Sequence, residues 1–186
     1  MKINFLEIKR KTWHVLWGIV FFLIINYTNK IFYQVIMISL LVIGVFVMVM
    51  RSKKIRVGWI EYLITTLGRE GEGIEASFYY VLSLFLSSIF FEQKIVALSA
   101  LALGVCDGLA TIVGIHFGTI KLYKKKTVQG SSAFFFSCFL IIYLSGYAKV
   151  VALICSTILT AVELFTDIND NLIIPPIFSL ILKIFG

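Results

Sequence analysis

Leu101–Ser132 reads LALGVCDGLATIVGIHFGTIKLYKKKTVQGSS, an apolar run that holds one carboxylate, Asp107, and passes into a lysine-rich loop. An ionisable side chain inside a membrane segment is costly, usually faces the bundle interior, and marks a functional site by default. At helical spacing Gly104, Asp107, Thr111, Gly114 and Gly118 share one face. The carboxylate is therefore expected in a groove of small side chains that another helix or a ligand can approach closely.

The chain around this run has 186 residues, 60% of them hydrophobic and 15% charged, with the apolar residues in long runs rather than amphipathic stripes. That pattern excludes an ordinary soluble core. Seven apolar segments are expected: Trp13–Tyr27, Ile31–Met50, Ala76–Phe91, Ile95–Phe117, Ser131–Tyr147, Val150–Phe165 and Leu172–Phe185. The fold class they predict is an all-α polytopic membrane protein of about seven transmembrane helices, forming one domain over residues 1–186. Several segments fall short of the roughly 20 residues that a straight span needs. The last contains Pro175 and Pro176 and is expected to be broken or re-entrant. A cleaved signal peptide would need a small-residue site after the first segment, and none follows.

The basic residues set an orientation. Lys2, Lys9, Arg10, Lys11, Arg51, Lys53, Lys54, Arg56, Arg69, Lys121, Lys124, Lys125 and Lys126 fall on one side, against Lys30, Lys94, Lys149 and Lys183 on the other. Lysine and arginine favour cytoplasmic loops, which predicts a cytoplasmic N-terminus, an outer C-terminus, and loops 51–75, 119–130 and 166–171 in the cytoplasm. The net charge of +7 is mostly this topological bias. It points to anionic headgroups or a nucleotide as partners rather than nucleic acid. Acidic residues contribute little to topology, yet Glu7, Glu61, Glu70, Glu72, Glu75, Asp107, Glu163, Asp167 and Asp170 all collect on the same side, leaving only Glu92 outside. A polar site at the cytoplasmic face is the expectation.

Cys106, Cys138 and Cys155 occur singly in apolar segments and read as packing residues. His14 and His116 lie too far apart for a local metal motif. Ile55–Gly68 has Trp59, Ile60, Leu63, Ile64 and Leu67 at helical spacing, and reads either as a helix in the membrane interface or as a continuation of the second span.

Three groups of residues carry chemistry. Lys121 and Lys124–Lys126, followed by Thr127, Gly130 and Ser131, combine lysines, a hydroxyl and backbone amides at the start of a helix, which suits phosphate groups. A P-loop and the glycine-rich and Asp-Phe-Gly elements of protein kinases are absent. Near the N-terminus Glu7, Arg10, Lys11, His14 and Gly18 recur every three or four residues, placing His14 just inside the membrane either as a packing residue or as a phosphate contact. Glu163, Asp167, Asp170 and Asn171 precede the proline pair and form either a solvated loop or a set of oxygens for a magnesium ion that bridges substrate phosphates. Gly114 and Gly118 also fit the small-xxx-small pattern of membrane helix packing, which permits a homo-oligomer.

Taken in order, Arg10, Lys11, His14 and Gly18; Arg69, Glu70 and Gly71 ahead of Tyr79 and Tyr80; Asp107, Gly108, Ala110, Gly114 and Gly118; Lys126, Thr127, Gly130 and Ser131; and Asp170, Asn171, Leu172 and Pro175 resemble the CTP-dependent lipid-alcohol kinases. That family includes dolichol, polyprenol and phytol kinases and a diacylglycerol kinase branch. The resemblance implies transfer of the γ-phosphoryl group of CTP to the hydroxyl of a membrane isoprenoid alcohol at the cytoplasmic face, with Mg²⁺ or another divalent cation. It implies Asp107 as metal ligand or proton acceptor, and Asp170, Asn171 and Glu163 as metal or nucleotide contacts. Lys121, Lys126 and Thr127 would hold phosphates, with Arg69, Gly114, Gly118, Gly130 and Ser131 completing the nucleotide site and Arg10, Lys11 and His14 closing it.

Three positions depart from the pattern. Cys106 stands where a glycine often precedes the aspartate, and Ile115–His116 replaces a basic pair often found between the two glycines, with His116 a titratable substitute. The alternatives are a phosphatidate cytidylyltransferase, which would release pyrophosphate, a CTP-dependent diacylglycerol kinase, and a small proton-coupled transporter using Asp107, His14 and Glu163.

Overall fold

The computed structural model describes residues 5–55, 58, 74–166 and 169–186. Within them the chain is almost wholly helical: α1 (Phe5–Tyr27), α2 (Lys30–Ser52), α3 (Glu75–Phe90), α4 (Gln93–Phe117), α5 (Val128–Leu144), α6 (Lys149–Phe165) and α7 (Asp170–Phe185). A small antiparallel hairpin, β1 (Lys121–Tyr123) and β2 (Lys126–Thr127), joins α4 to α5. Each helix coincides, to within a few residues at its ends, with one of the seven apolar segments, except that α1 begins earlier, at Phe5. The short connections at one end are fastened locally. The Gln93 amide donates to the Ile25 and Thr28 carbonyls, both at 2.6 Å, and the Asn29 side chain caps α2 through the Phe32 amide at 2.8 Å.

Two helices, α2 and α4, are long and apolar enough to cross a membrane. α4 is mostly buried and α2 mostly exposed. The helices α3, α5, α6 and α7 have 16 or 17 residues. At about 1.5 Å per residue they span roughly 25 Å, short of a straight crossing of a hydrocarbon core about 30 Å thick. Large apolar side chains cover the outside as well as filling the core, where small hydroxyls are buried among them. Leu16, Leu23, Val35, Val42, Phe46, Phe136, Leu140, Leu153 and Leu180 face outward, while Ser83, Ser87, Ser88, Ser99, Ser156 and Ser179 are buried. An exterior of this kind suits lipid rather than water.

The proline pair does not break the last segment, contrary to the expectation from sequence: α7 runs continuously from Asp170 to Phe185 with Pro175 and Pro176 inside it. Pro175 has no N–H to give the Asn171 carbonyl four residues earlier. The Ser83 hydroxyl of α3 donates to that carbonyl instead, at 2.7 Å, and the Asn171 side chain donates to the Ala76 carbonyl at 2.9 Å. A neighbouring helix thus satisfies what the proline leaves open. The second span likewise does not continue as a helix into Ile55–Gly68. α2 stops at Ser52 and Lys54 adopts a left-handed φ of 59°; the interfacial-helix expectation rests on residues 59–68, outside those described.

α4 is interrupted by a π-helical turn over Leu103–Asp107. A single wide turn adds one residue to the local repeat and rotates the rest of the helix about its axis, and such turns concentrate at functional sites. It divides the expected stripe of small residues. Gly104 meets α1, where a Cβ would come 2.5 Å from the Gly18 Cα, whereas Gly114 and Gly118 meet Thr127 at the start of α5. Gly114 and Gly118 therefore have a packing neighbour within the chain.

The Gly18–Gly104 crossing makes α1 and α4 approach without intervening side chains. Gly104→Ala should destabilise the protein by about 1–3 kcal/mol, the usual cost of overpacking. A fall in the thermal midpoint of detergent-purified protein, absent from Leu153→Ala on the outer face, checks this.

Candidate functional site

The α1–α4 crossing delivers the first feature of the site. Lys11 lies seven residues, or two turns, before Gly18, and its ammonium donates to Asp107 Oδ2. Both residues are buried, at 9% and 6% exposure. A carboxylate so placed needs a buried counter-charge, because an unpaired ion there would be strongly destabilising. His14 Nε2 lies 3.5 Å from the same oxygen, and its ring packs 5.3 Å from that of Tyr80. Tyr80 is itself tied to α4 by its hydroxyl, which donates to the Ala100 carbonyl at 2.7 Å.

The opposite wall is built by the hairpin. Lys121 pairs with Thr127 and Tyr123 with Lys126, and Lys124 takes a left-handed φ of 49° at the turn. The Val128 amide donates to the Ile120 carbonyl, and Gln129 latches the loop through Thr119. Thr127 caps α5, its Oγ1 accepting from the Gly130 amide at 3.2 Å. Gly130 is required here, since a Cβ would lie 2.8 Å from the Ala110 carbonyl oxygen of α4.

The third wall is the end of α6 and the start of α7. Lys126 Nζ lies 2.7 Å from Glu163 Oε1 and 3.7 Å from Asp170 Oδ2, and also donates to the Glu163 backbone carbonyl. That carbonyl belongs to the last turn of α6, where carbonyls lack helical partners and a cation is favoured. Burial pushes the Asp170 carboxyl up to about 6; Lys126 opposes the shift and the negative charges of Asp107 and Glu163 reinforce it.

These walls enclose a cavity of about 620 Å³. It is lined by Arg10, Lys11, Asp107, Gly114, Lys126, Thr127, Gly130, Ser131, Glu163 and Asp170 among the residues expected from sequence. Glu7, Ala110, Thr111, Ile115 and Lys125 line it as well. Glu7 was legible in its spacing from Arg10, whose guanidinium it binds at 2.6 Å; Lys125 carried no signal beyond its place in the lysine run. Two buried polar atoms of the lining, Ser131 Oγ and Glu163 Oε2, have no hydrogen-bond partner. Both belong to residues of the cavity wall, and buried polar groups without a partner are exceptions that ask for a role.

Several expected residues lie elsewhere. Asn171 tethers α7 to α3, Gly118 packs against Thr127, and Lys121 is exposed on the hairpin without lining the cavity. His116 is also exposed, its Nδ1–H donating to the Ile112 carbonyl at 2.9 Å. Arg69 and Asp167 lie outside the described residues. Among the described residues no three His, Cys, Asp or Glu side chains gather as a metal cluster.

Two measurements test this geometry. Thr127→Ala should cost about 1 kcal/mol by loss of the cap, with Thr127→Ser restoring most of it, as read by thermal unfolding. The raised Asp170 value means that the folded state binds more protons than the unfolded one between about pH 4 and pH 6. Stability in EDTA should therefore fall as pH rises through that window, and Asp170→Asn should flatten the slope.

Against known proteins, the chain is 39% identical over 116 residues to the uncharacterized protein RP860 of Rickettsia prowazekii, covering 58% of this chain and 56% of that one. It is 31% identical over 141 residues to a probable chloroplastic phytol kinase of Triticum aestivum, covering 62% of this chain and 46% of the kinase. No family model and no solved structure matches. Along 184 residues it is 33% identical to the uncharacterized protein MJ1137 of Methanocaldococcus jannaschii, covering 95% of this chain and 93% of that one. Agreement of this extent along both chains makes this protein a member of the MJ1137 family.

Proposed function

We propose that this protein is a multi-pass membrane lipid kinase that moves the γ-phosphoryl group of CTP to the hydroxyl of an isoprenoid alcohol, of the phytol, geranylgeraniol or polyprenol type, at the cytoplasmic face. The observation that carries the reading is the buried Lys11–Asp107 pair set across one cavity from Lys126, Thr127 and the start of α5. The similarity to a probable phytol kinase supports the reaction class.

Phosphoryl transfer needs positioning and charge neutralisation more than covalent chemistry from the protein. The amides at the start of α5 and the Lys125 and Lys126 ammonium groups receive the phosphates of the donor. The acceptor enters from the lipid with its hydroxyl beside Asp107. As its oxygen bonds to the γ-phosphorus, the bond from that phosphorus to the β-bridging oxygen breaks and CDP leaves. Asp107 takes the hydroxyl proton, while Lys11, donating to Oδ2, holds the carboxylate in place. The donor set fits a magnesium ion: hard cations of this kind use one or two carboxylates and complete their shell with water and substrate phosphates, and Glu163, with its Oε2 unpartnered, and Asp170 stand together at the cavity wall, where Lys126 now bridges them. When bound, the ion would neutralise charge on the β- and γ-phosphates.

Glu7, Glu163 and Asp170 lie near helix ends and share one cavity with Asp107, which favours a reaction at one face over a proton path through the bilayer. The deciding assay incubates detergent-purified protein with magnesium, labelled CTP or ATP, and polyprenol, phytol, geranylgeraniol, diacylglycerol or phosphatidate. Label should pass from the γ-position of CTP to an isoprenoid alcohol. Cytidylyl transfer to phosphatidate would replace this reading with a cytidylyltransferase. Measured on the fraction that stays folded, since the variant leaves Lys11 buried without its partner, Asp107→Asn should reduce turnover by about 10²-fold or more, the usual scale for loss of a general base, and near-normal turnover would remove Asp107 from the mechanism.

A further inference from the structure

In the cavity wall, Lys126 stands where a metal ion would be expected. Its ammonium is enclosed by three oxygens from two helices: Glu163 Oε1 at 2.7 Å, Asp170 Oδ2 at 3.7 Å and the Glu163 backbone carbonyl. Two carboxylates and a carbonyl form the all-oxygen donor set that hard divalent cations prefer. A fourth oxygen, Glu163 Oε2, is present without a partner on a residue only 5% exposed. A lysine has three protons to give and nothing to accept with, so it fills such a cage electrostatically and leaves one carboxylate oxygen unused.

We propose that Lys126 is a resident counter-ion for the Glu163–Asp170 cage, which it holds until a divalent cation displaces it, and that the released ammonium then turns to the phosphates of the nucleotide. This rests on the nucleotide reading above and adds a coupling to it. The cavity lining carries four acids, Glu7, Asp107, Glu163 and Asp170, and four bases, Arg10, Lys11, Lys125 and Lys126. Metal alone must compete with Lys126, and nucleotide alone finds its lysine already engaged. Each ligand removes the obstacle to the other, so the two bind with positive cooperativity.

The test uses Mn²⁺ as the probe, with free ion followed by electron paramagnetic resonance on the full-length protein in detergent. Lys126→Met should tighten Mn²⁺ binding without nucleotide by about tenfold, the scale of one charged hydrogen bond. The same variant should weaken CTP binding, whereas Lys126→Arg, which keeps the cation, should leave Mn²⁺ binding near the wild-type value. Glu163→Gln should abolish the Mn²⁺ site in every background. A second readout leaves the protein unmutated: millimolar Mg²⁺ should increase the rate of Lys126 acetylation by acetic anhydride, scored by mass spectrometry, as the amine leaves its cage. Unchanged or weaker Mn²⁺ binding in a folded Lys126→Met variant, or Lys126 acetylation indifferent to Mg²⁺, would overturn the exchange. Failure of the kinase reading is separate, since it would appear as tight Mn²⁺ binding with no response to CTP.

Discussion

A carboxylate buried between two helices can exist only if a cation is buried with it, and that requirement organises this molecule. Asp107 is held by Lys11, 96 residues earlier in the chain, so α1 must run close along α4. The approach is made by Gly18 against Gly104, where each lacks the Cβ that would keep the backbones apart. Breaking such a pair by removing one partner costs several kcal/mol because the other charge stays behind, which is why a packing contact two turns away is coupled to the chemistry of the site.

Around this pair the remaining walls obey a different rule: helix ends leave backbone groups that something must satisfy. Thr127 answers the Gly130 amide at the start of α5, Lys126 answers the Glu163 carbonyl at the end of α6, and Ser83 answers the Asn171 carbonyl that Pro175 cannot serve. The first two contacts bring a lysine and a helix start to the cavity as a by-product of closing helices. Thr127, Gly130, Lys126 and Glu163, which complete secondary structure, thus also line the cavity.

Much of this was legible in the sequence because membrane helices must satisfy their backbone internally, so apolar runs map directly onto elements. All seven segments became helices, and the run from Asp107 to Ser131 brings Asp107, Gly114, Lys125, Lys126 and Gly130 around one cavity, though not Gly118 or Lys121. The features that stayed hidden depend on contacts distant in sequence. The pairing of Lys11 with Asp107 leaves no local pattern, nor does the diversion of Asn171 to α3. The continuity of α7 was misjudged because Pro175 and Pro176 carry a strong local signal for breakage, whereas the compensating Ser83 hydroxyl lies 88 residues from Asn171. The π turn was invisible for a subtler reason: helical spacing assumes a constant repeat, and here the repeat changes by one residue immediately before the carboxylate.

That wide turn also bears on comparisons within the family. A π turn is the mark that a one-residue insertion leaves in an α-helix, and each residue turns the helix by about 100°. The direction in which Asp107 points is therefore fixed by the number of residues between Gly104 and Asp107, as much as by their identity. A relative lacking one residue there would keep an aspartate in its sequence yet aim it at lipid or at another helix. In such a chain the residue count across Leu103–Asp107, more than the presence of the aspartate, would tell whether the site is intact.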